Sequence, residues 1–213
     1  DMEVVANKLL LYPVDTVYID GAFFRMSFAK VSHSVILVFG ANYAYDMLYT
    51  IEHARLTYKK FSLPIYPGAL HFIKDKEVIT IINQNDVHQL SISSLIGSLD
   101  EVFSKINSQM KAIYLPKSLT DAFVKKLMDE QTGIDFDIII ESPVNIQLQH
   151  TQLKNLFLLN HQIYVINPIS VKLVCLNPYS PNGYSYEKNA FKNGLKQALM
   201  IDVFNVEEEN HNE

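Results

Sequence analysis

The chain has 213 residues, 48% of them hydrophobic and 19% charged, with 18 Lys and Arg against 23 Asp and Glu for a formal charge of −5. That length and apolar content are enough to bury a full core without disulfide or metal staples, and the mild acidity without clustered Lys and Arg argues against a phosphate-neutralising nucleic-acid surface. A single cysteine excludes an internal disulfide, and no apolar run approaches the ~20 residues of a membrane span.

Cys175 lies within the apolar run Val-Lys-Leu-Val-Cys-Leu and reads as a small buried hydrophobe. No charged-apolar-cleavage signal opens the chain, so a reducing cytoplasm is the expected setting. Asp1 before Met2 reads as a remnant or as a cut from something longer. The nearest basic cluster, Lys59-Lys60, reads as a cap on the negative end of a helix.

Met2, Val5, Ala6 and Leu9 fall at helical spacing until Tyr12-Pro13. Residues 16–19 (Thr-Val-Tyr-Ile) form a β-rich run that ends in Asp20-Gly21, and residues 34–39 (Ser-Val-Ile-Leu-Val-Phe) read as a second, buried strand before Gly40-Ala41. A long helix follows, with Met47, Leu48, Ile51 and Tyr58 on one stripe, closing before Pro64 and Pro67. Residues 69–82 predict a hairpin around Lys74-Asp75-Lys76. Leu95, Leu99, Val102, Phe103 and Ile106 share one helix face, ahead of a strand over 112–115. Ser118 with Asp121 resembles a capping box for a helix presenting Leu119, Phe123 and Leu127. Further strands are expected at 136–140, 163–166, 171–176 and 201–206, with helices marked by Leu153, Leu156 and Phe157 and by Phe191, Leu195 and Ala198.

Helices alternating with nearly continuous apolar strands predict an α/β fold: a mainly parallel sheet flanked by helices on both faces, in Rossmann-like or P-loop-like layers. Two lobes are expected. Residues 1–68 would form a P-loop-like lobe without the phosphate loop, 69–90 a hairpin linker, 91–206 a second α/β lobe and 207–213 a disordered acidic tail.

Three places could carry chemistry. Asp20 ends a β-type run, as a carboxylate that holds Mg²⁺ through oxygen ligands would, or as an ordinary turn starter before Gly21. Arg25 and Ser27 in the next loop could contact a phosphate or carboxylate, or Arg25 could pair with a surface acid. The segment from Asn177 to Tyr186 lies between a strand and the last helix, where such sheets hold ligands. Ser180, Asn182 and Gly183 make it a candidate binding loop, while its prolines and Asn182-Gly183 favour a purely structural turn. No G-x-x-x-x-G-K-[ST], H-E-x-x-H or G-x-S-x-G occurs, so no phosphate loop, zinc pair or nucleophile elbow is encoded.

Asp20-Gly-Ala22, Arg25, Ser27-Phe-Ala29, Gly40-Ala41, Asn177-Pro178, Gly183-Tyr-Ser185 and Val203-Phe204 together resemble the reactivating-factor subunit encoded beside lysine-5,6-aminomutase in amino-acid-fermenting bacteria. The resemblance is a set of short matches scattered over most of the chain. It implies an ATPase-like accessory protein that restores a partner dependent on coenzyme B12 and pyridoxal phosphate. It also implies a P-loop segment ahead of Met2, so Mg-nucleotide would bind only if that segment is supplied. Phe24 stands where the family has an acid, and Val38-Phe39 where it has polar residues; both departures strip the nucleotide corner of polar groups. The expectation is an accessory protein of an aminomutase complex, inactive alone, with no nucleic-acid or membrane partner. The alternative is a small-molecule or nucleotide-sensing regulatory domain.

Overall fold

The structure is a computed structural model that describes residues 2–13, 15–19, 32, 34–70, 73, 75–130 and 133–205. In chain order it comprises α1 (Met2–Leu9), β1 (Ser34–Gly40), α2 (Met47–Phe61), β2 (Thr80–Asn83), β3 (Val87–Gln89), α3 (Leu99–Phe103), β4 (Met110–Leu115), β5 (Leu119–Thr120), α4 (Asp121–Glu130), β6 (Asp137–Ile140), β7 (Ile146–Gln147), α5 (His150–Leu158), β8 (Ile163–Val165), β9 (Ser170–Asn177), α6 (Lys188–Leu199) and β10 (Phe204–Asn205).

The chain is α/β, as its alternation predicts, but its strands do not form one mainly parallel sheet. They form a three-stranded sheet ordered β1-β9-β10, a five-stranded sheet ordered β3-β2-β4-β6-β8, and a short β5-β7 pair. The three-stranded sheet is parallel throughout. The five-stranded sheet is mixed: β4, β6 and β8 run parallel, while β2 is antiparallel to both β3 and β4. Strand partnership does not follow chain order either, because β9 and β10 return to β1 across everything between α2 and β9.

Alternation decides what each sheet face meets. In the five-stranded sheet, Ile81, Ile113, Leu115, Ile138 and Ile140 pack with Val102, Phe123, Val124, Leu153 and Leu156 from α3, α4 and α5. The opposite face presents Ile82, Ala112, Tyr114 and Ile139, and Tyr66, Leu70 and Ile73 of the α2–β2 connection cover it. Among the described residues, an irregular apolar segment rather than a helix covers that face. In the three-stranded sheet Phe39, Val174 and Leu176 pack under α2 and α6, against Ala54, Phe191, Leu195 and Leu199. Helix α2 serves both cores, sending Ala54 into one and Leu56 into the other.

Several elements differ from the sequence expectation for identifiable reasons. Residues 16–19 form no ladder, and Tyr18 is 86% exposed; β-type composition makes a strand only where a partner edge accepts its N–H and C=O groups. The hairpin lies one limb downstream, in β2 and β3, closed where Asn83 Nδ2 donates to Asp86 Oδ1 at 2.7 Å. An Asx turn at Asp75 does form, its Oδ1 accepting from Glu77 N at 2.8 Å, and before it Leu70 and Ile73 cover the sheet. The helix expected through Leu95 shortens to α3 because Gly97 takes φ +77, which ends helical geometry. The capping box at Ser118 is replaced by the β5–β7 pair, and Asp121 accepts from Gln149 N at 3.0 Å. The final strand is reduced to Phe204 and Asn205.

The carboxyl ends of β1 and β9 touch. A Cβ on Gly40 would overlap the carbonyl oxygen of Asn177, the same oxygen that accepts from Ala41 N at 3.0 Å. Gly40→Ala is expected to destabilise the fold by about 1–3 kcal/mol, because backbone rather than a flexible side chain must move. Urea unfolding of the two proteins at equal slope measures it.

Candidate functional site

Two strand-end regions lie where parallel sheets hold ligands. The first closes the three-stranded sheet and contains four of the sequence candidates. Asn177 Oδ1 accepts from Tyr179 N at 3.1 Å, and Ser180 Oγ accepts from Asn182 N at 3.2 Å. Ser180 N donates to Tyr184 O at 2.9 Å and Gly183 N to Ser180 O at 3.2 Å, with Gly183 at φ +82. These bonds make a self-contained turn. It is then stapled to the β1–α2 loop: Tyr184 donates to Ala41 O at 2.6 Å, Tyr186 donates to Ala44 O, and Tyr186 OH lies 2.8 Å from Thr50 Oγ1. Asn177, Ser180, Asn182 and Gly183 thus stand together, with Asn177 Oδ1, Ser180 Oγ and the backbone N–H groups of Ser180, Asn182 and Gly183 bonded within the turn. Asp20, Arg25 and Ser27 lie outside the described residues.

The second region is open. Beyond the carboxyl ends of β4 and β6 lies a cavity of about 400 Å³ lined by Lys76, Glu77, Pro116, Lys117, Ser118, Glu141 and Asn145. The fold places these residues simply: Pro116-Lys117-Ser118 leaves β4, Glu141 leaves β6, and Lys76-Glu77 comes from the turn before β2. Glu141 is held by both oxygens. Tyr114 OH donates to Oε2 at 2.8 Å and Asn167 Nδ2 to Oε1 at 2.5 Å. The Tyr114 hydroxyl also lies 3.0 Å from Lys76 O. Burial, and then the Glu141 carboxylate beside it, push the Tyr114 phenol well up, so it stays a donor. Lys117 Nζ donates to Ser93 Oγ at 3.1 Å. In that lining, Asn145 Oδ1 is buried without a hydrogen-bond partner in the structure, and behind the lining so is the Oγ of Ser142, next to Glu141 in the chain and only 1% exposed. Orphaned polar atoms beside a cavity are uncompensated desolvation that a bound polar molecule or water would relieve.

A third cluster joins the two cores. Tyr43 stacks on His53 with ring centroids 3.9 Å apart, and Tyr49 lies 4.4 Å from His150 at the start of α5. Glu52 accepts from Lys154 Nζ at 2.8 Å and lies 3.7 Å from His150 Nε2. Burial pulls the His53 imidazole down to about 4, helped by His150 and Lys60. Burial and neighbouring Tyr49 push the Tyr43 phenol up to about 12. Lys59 and Lys60 stand in the last turn of α2, at its negative end, and Lys60 is buried there; its Nζ lies 3.4 Å from Ile146 O, and burial lowers its pKa to about 8. These groups pin α2 against α5. Among the described residues no three His, Cys, Asp or Glu side chains converge as metal ligands, and no helix is long and apolar enough to cross a membrane.

Sequence reasoning passed over the open cleft although its signal was present: two polar segments, Pro116-Lys117-Ser118 and Glu141-Ser142, each follow directly on an apolar strand. What spacing does not show is that β4 and β6 are neighbours. No protein-family model matches the chain, and neither curated proteins nor solved structures yield a match.

The histidine cluster makes a pH prediction. A folded pKa near 4 against the ordinary 6.5 means that the unfolded chain binds the His53 proton more tightly. Its contribution is fully present above pH ~6.5 and is lost as the pH falls toward 4. The urea midpoint should therefore drop between pH 7 and 4.5. The drop should be smaller in His53→Phe, which keeps a ring against Tyr43 and removes the titrating nitrogen.

Proposed function

We propose that the chain is a non-catalytic accessory protein that senses a small zwitterionic molecule, of the free amino-acid class, in the cleft beyond β4 and β6. The observation that carries this reading is the mixed lining. Lys76 and Lys117 offer charge for an anionic group, and Glu77 and Glu141 for an ammonium. Glu141 is immobilised through both oxygens, which suits it to anchoring a cation rather than to shuttling protons. The volume, about 400 Å³, is at the small end of metabolite pockets.

A nucleotide is a poorer occupant. The loops that leave β4 and β6 carry no glycine to let backbone N–H groups wrap a phosphate, and Glu141 would repel it. The partner is proposed from the sequence resemblance alone: an aminomutase complex in the cytoplasm, with the cleft reporting metabolite supply to it. A P-loop-like, Rossmann-like origin of the parallel strands belongs to the same proposal.

Calorimetry on the whole chain tests the ligand reading. A panel of free α-amino acids should contain a binder, and the matching amine or carboxylate lacking one charge should bind at least tenfold more weakly. Glu141→Gln and Lys117→Ala should each weaken binding by about tenfold or more, equivalent to ~1.4 kcal/mol. Mg-ATP should bind no tighter than ~10 μM, about −7 kcal/mol. A panel without any binder, or a Glu141→Gln protein that binds equally well, would sink the reading.

A further inference from the structure

The cleft beyond β4 and β6 holds one group that the charges of its lining leave unused. Asn145 ends the short 3-10 turn Pro143–Asn145 that follows Glu141, and it brings the one side-chain amide to the cavity wall. Its backbone is committed. Asn145 N donates to Ser142 O at 3.0 Å, and Ile146-Gln147 directly beyond it pair with Leu119-Thr120. Its side chain is not: Oδ1 is buried without a hydrogen-bond partner. An amide carries an acceptor and two donor hydrogens in one plane. The χ2 torsion of asparagine is soft and roughly two-fold, so a half turn exchanges carbonyl and NH₂ at the wall without moving the backbone.

The remaining lining says what kind of side chain would suit that amide. Lys76 and Lys117 oppose Glu77 and Glu141, so the four charges cancel and favour a ligand of zero net charge. Pockets for apolar groups are walled by aliphatic or aromatic side chains, and here Pro116 is the one apolar residue of the lining. An apolar ligand side chain would strip water from Asn145 and return no hydrogen bond. A side-chain carboxylate would face Glu77 and Glu141. A carboxamide is neutral and meets an amide on its donor and its acceptor edge at once.

We infer that the cleft selects a neutral amino acid whose side chain ends in a carboxamide, the glutamine and asparagine class, and that the Asn145 amide pairs with it through reciprocal N–H···O=C bonds. This rests on the zwitterion reading of the cleft and narrows it to a ligand class. Glu141 and the lysines hold the backbone charges, and Asn145 reads the side chain.

Calorimetry on the whole chain tests it with glutamine and asparagine, their isosteric acids glutamate and aspartate, the apolar methionine and leucine, and cationic lysine. The better of the two carboxamides should bind at least about tenfold more tightly than every other probe, because a site built around a polar group is left with that group unpaired when the partner lacks its match. Asn145→Ala should bring carboxamide and apolar probes to within about threefold of each other. Asn145→Asp keeps the shape and removes both donor hydrogens, so it should erase the preference too, and it serves should the alanine variant not fold. Methionine, glutamate or lysine binding as tightly as the carboxamides would overturn the inference and leave the zwitterion reading standing. So would a carboxamide preference that survives both substitutions. A set of probes without any binder overturns both.

Discussion

The parallel pairing of β1 with β9 is the constraint from which the rest of the architecture follows. It joins Ser34 to Ser170 and Gly40 to Asn177, so everything between is a loop closed by one sheet. That loop is long enough to hold its own five-stranded sheet and helices, and it leaves and re-enters through α2 and β9. Because α2 follows β1 at once, its two sides face two different cores, Ala54 one and Leu56 the other. The His53–His150 contact and buried Lys60 sit on the seam that this arrangement creates. A polar seam is costly to bury, and here it is filled by stacked rings and one carboxylate, Glu52, shared between His150 and Lys154.

The two strand-end regions show how the same topology can be closed or left open. Beyond β1 and β9, Tyr184 and Tyr186 bring hydroxyls to the carbonyls of Ala41 and Ala44, so the loops satisfy one another. Beyond β4 and β6, the corresponding tyrosine, Tyr114, is spent on holding Glu141 and the Lys76 carbonyl at the wall of a cavity. In one place aromatic donors seal a crevice. In the other a similar donor stiffens its lining.

Local signals were legible in the sequence where an element depends on its own residues. The apolar runs of β1, β4, β6, β8 and β9 are continuous enough to be read directly, and α2 announces itself by its stripe, while its Asp46 cap, which accepts from Leu48 N at 2.8 Å, emerges only in the structure. Partnership was not legible. Nothing in residues 171–176 says that they pair with residues 34–39 rather than with β8, because both neighbours would offer the same apolar edge. Residues 16–19 show the converse: good strand chemistry without a ladder in this structure. The candidate site divides the same way. The polarity of Asn177, Ser180 and Asn182 was visible, but their commitment to a turn depends on Tyr184 and on loop geometry. Lys117 and Glu141 become a pair only through the β4–β6 register.

The return of β9 to β1 also bears on how the chain emerges during synthesis. Contacts within β2–β8 span short separations, whereas the ladder partner of Ser34 among the described residues is Ser170. Distant pairings carry the larger loop-closure entropy and form late. The inserted five-stranded unit would then order on the ribosome first, while the uncharged strand Ser-Val-Ile-Leu-Val-Phe-Gly stays unpaired in the nascent chain. For that interval β1 is an attractive segment for a chaperone, and for misassembly with its own kind on a crowded polysome.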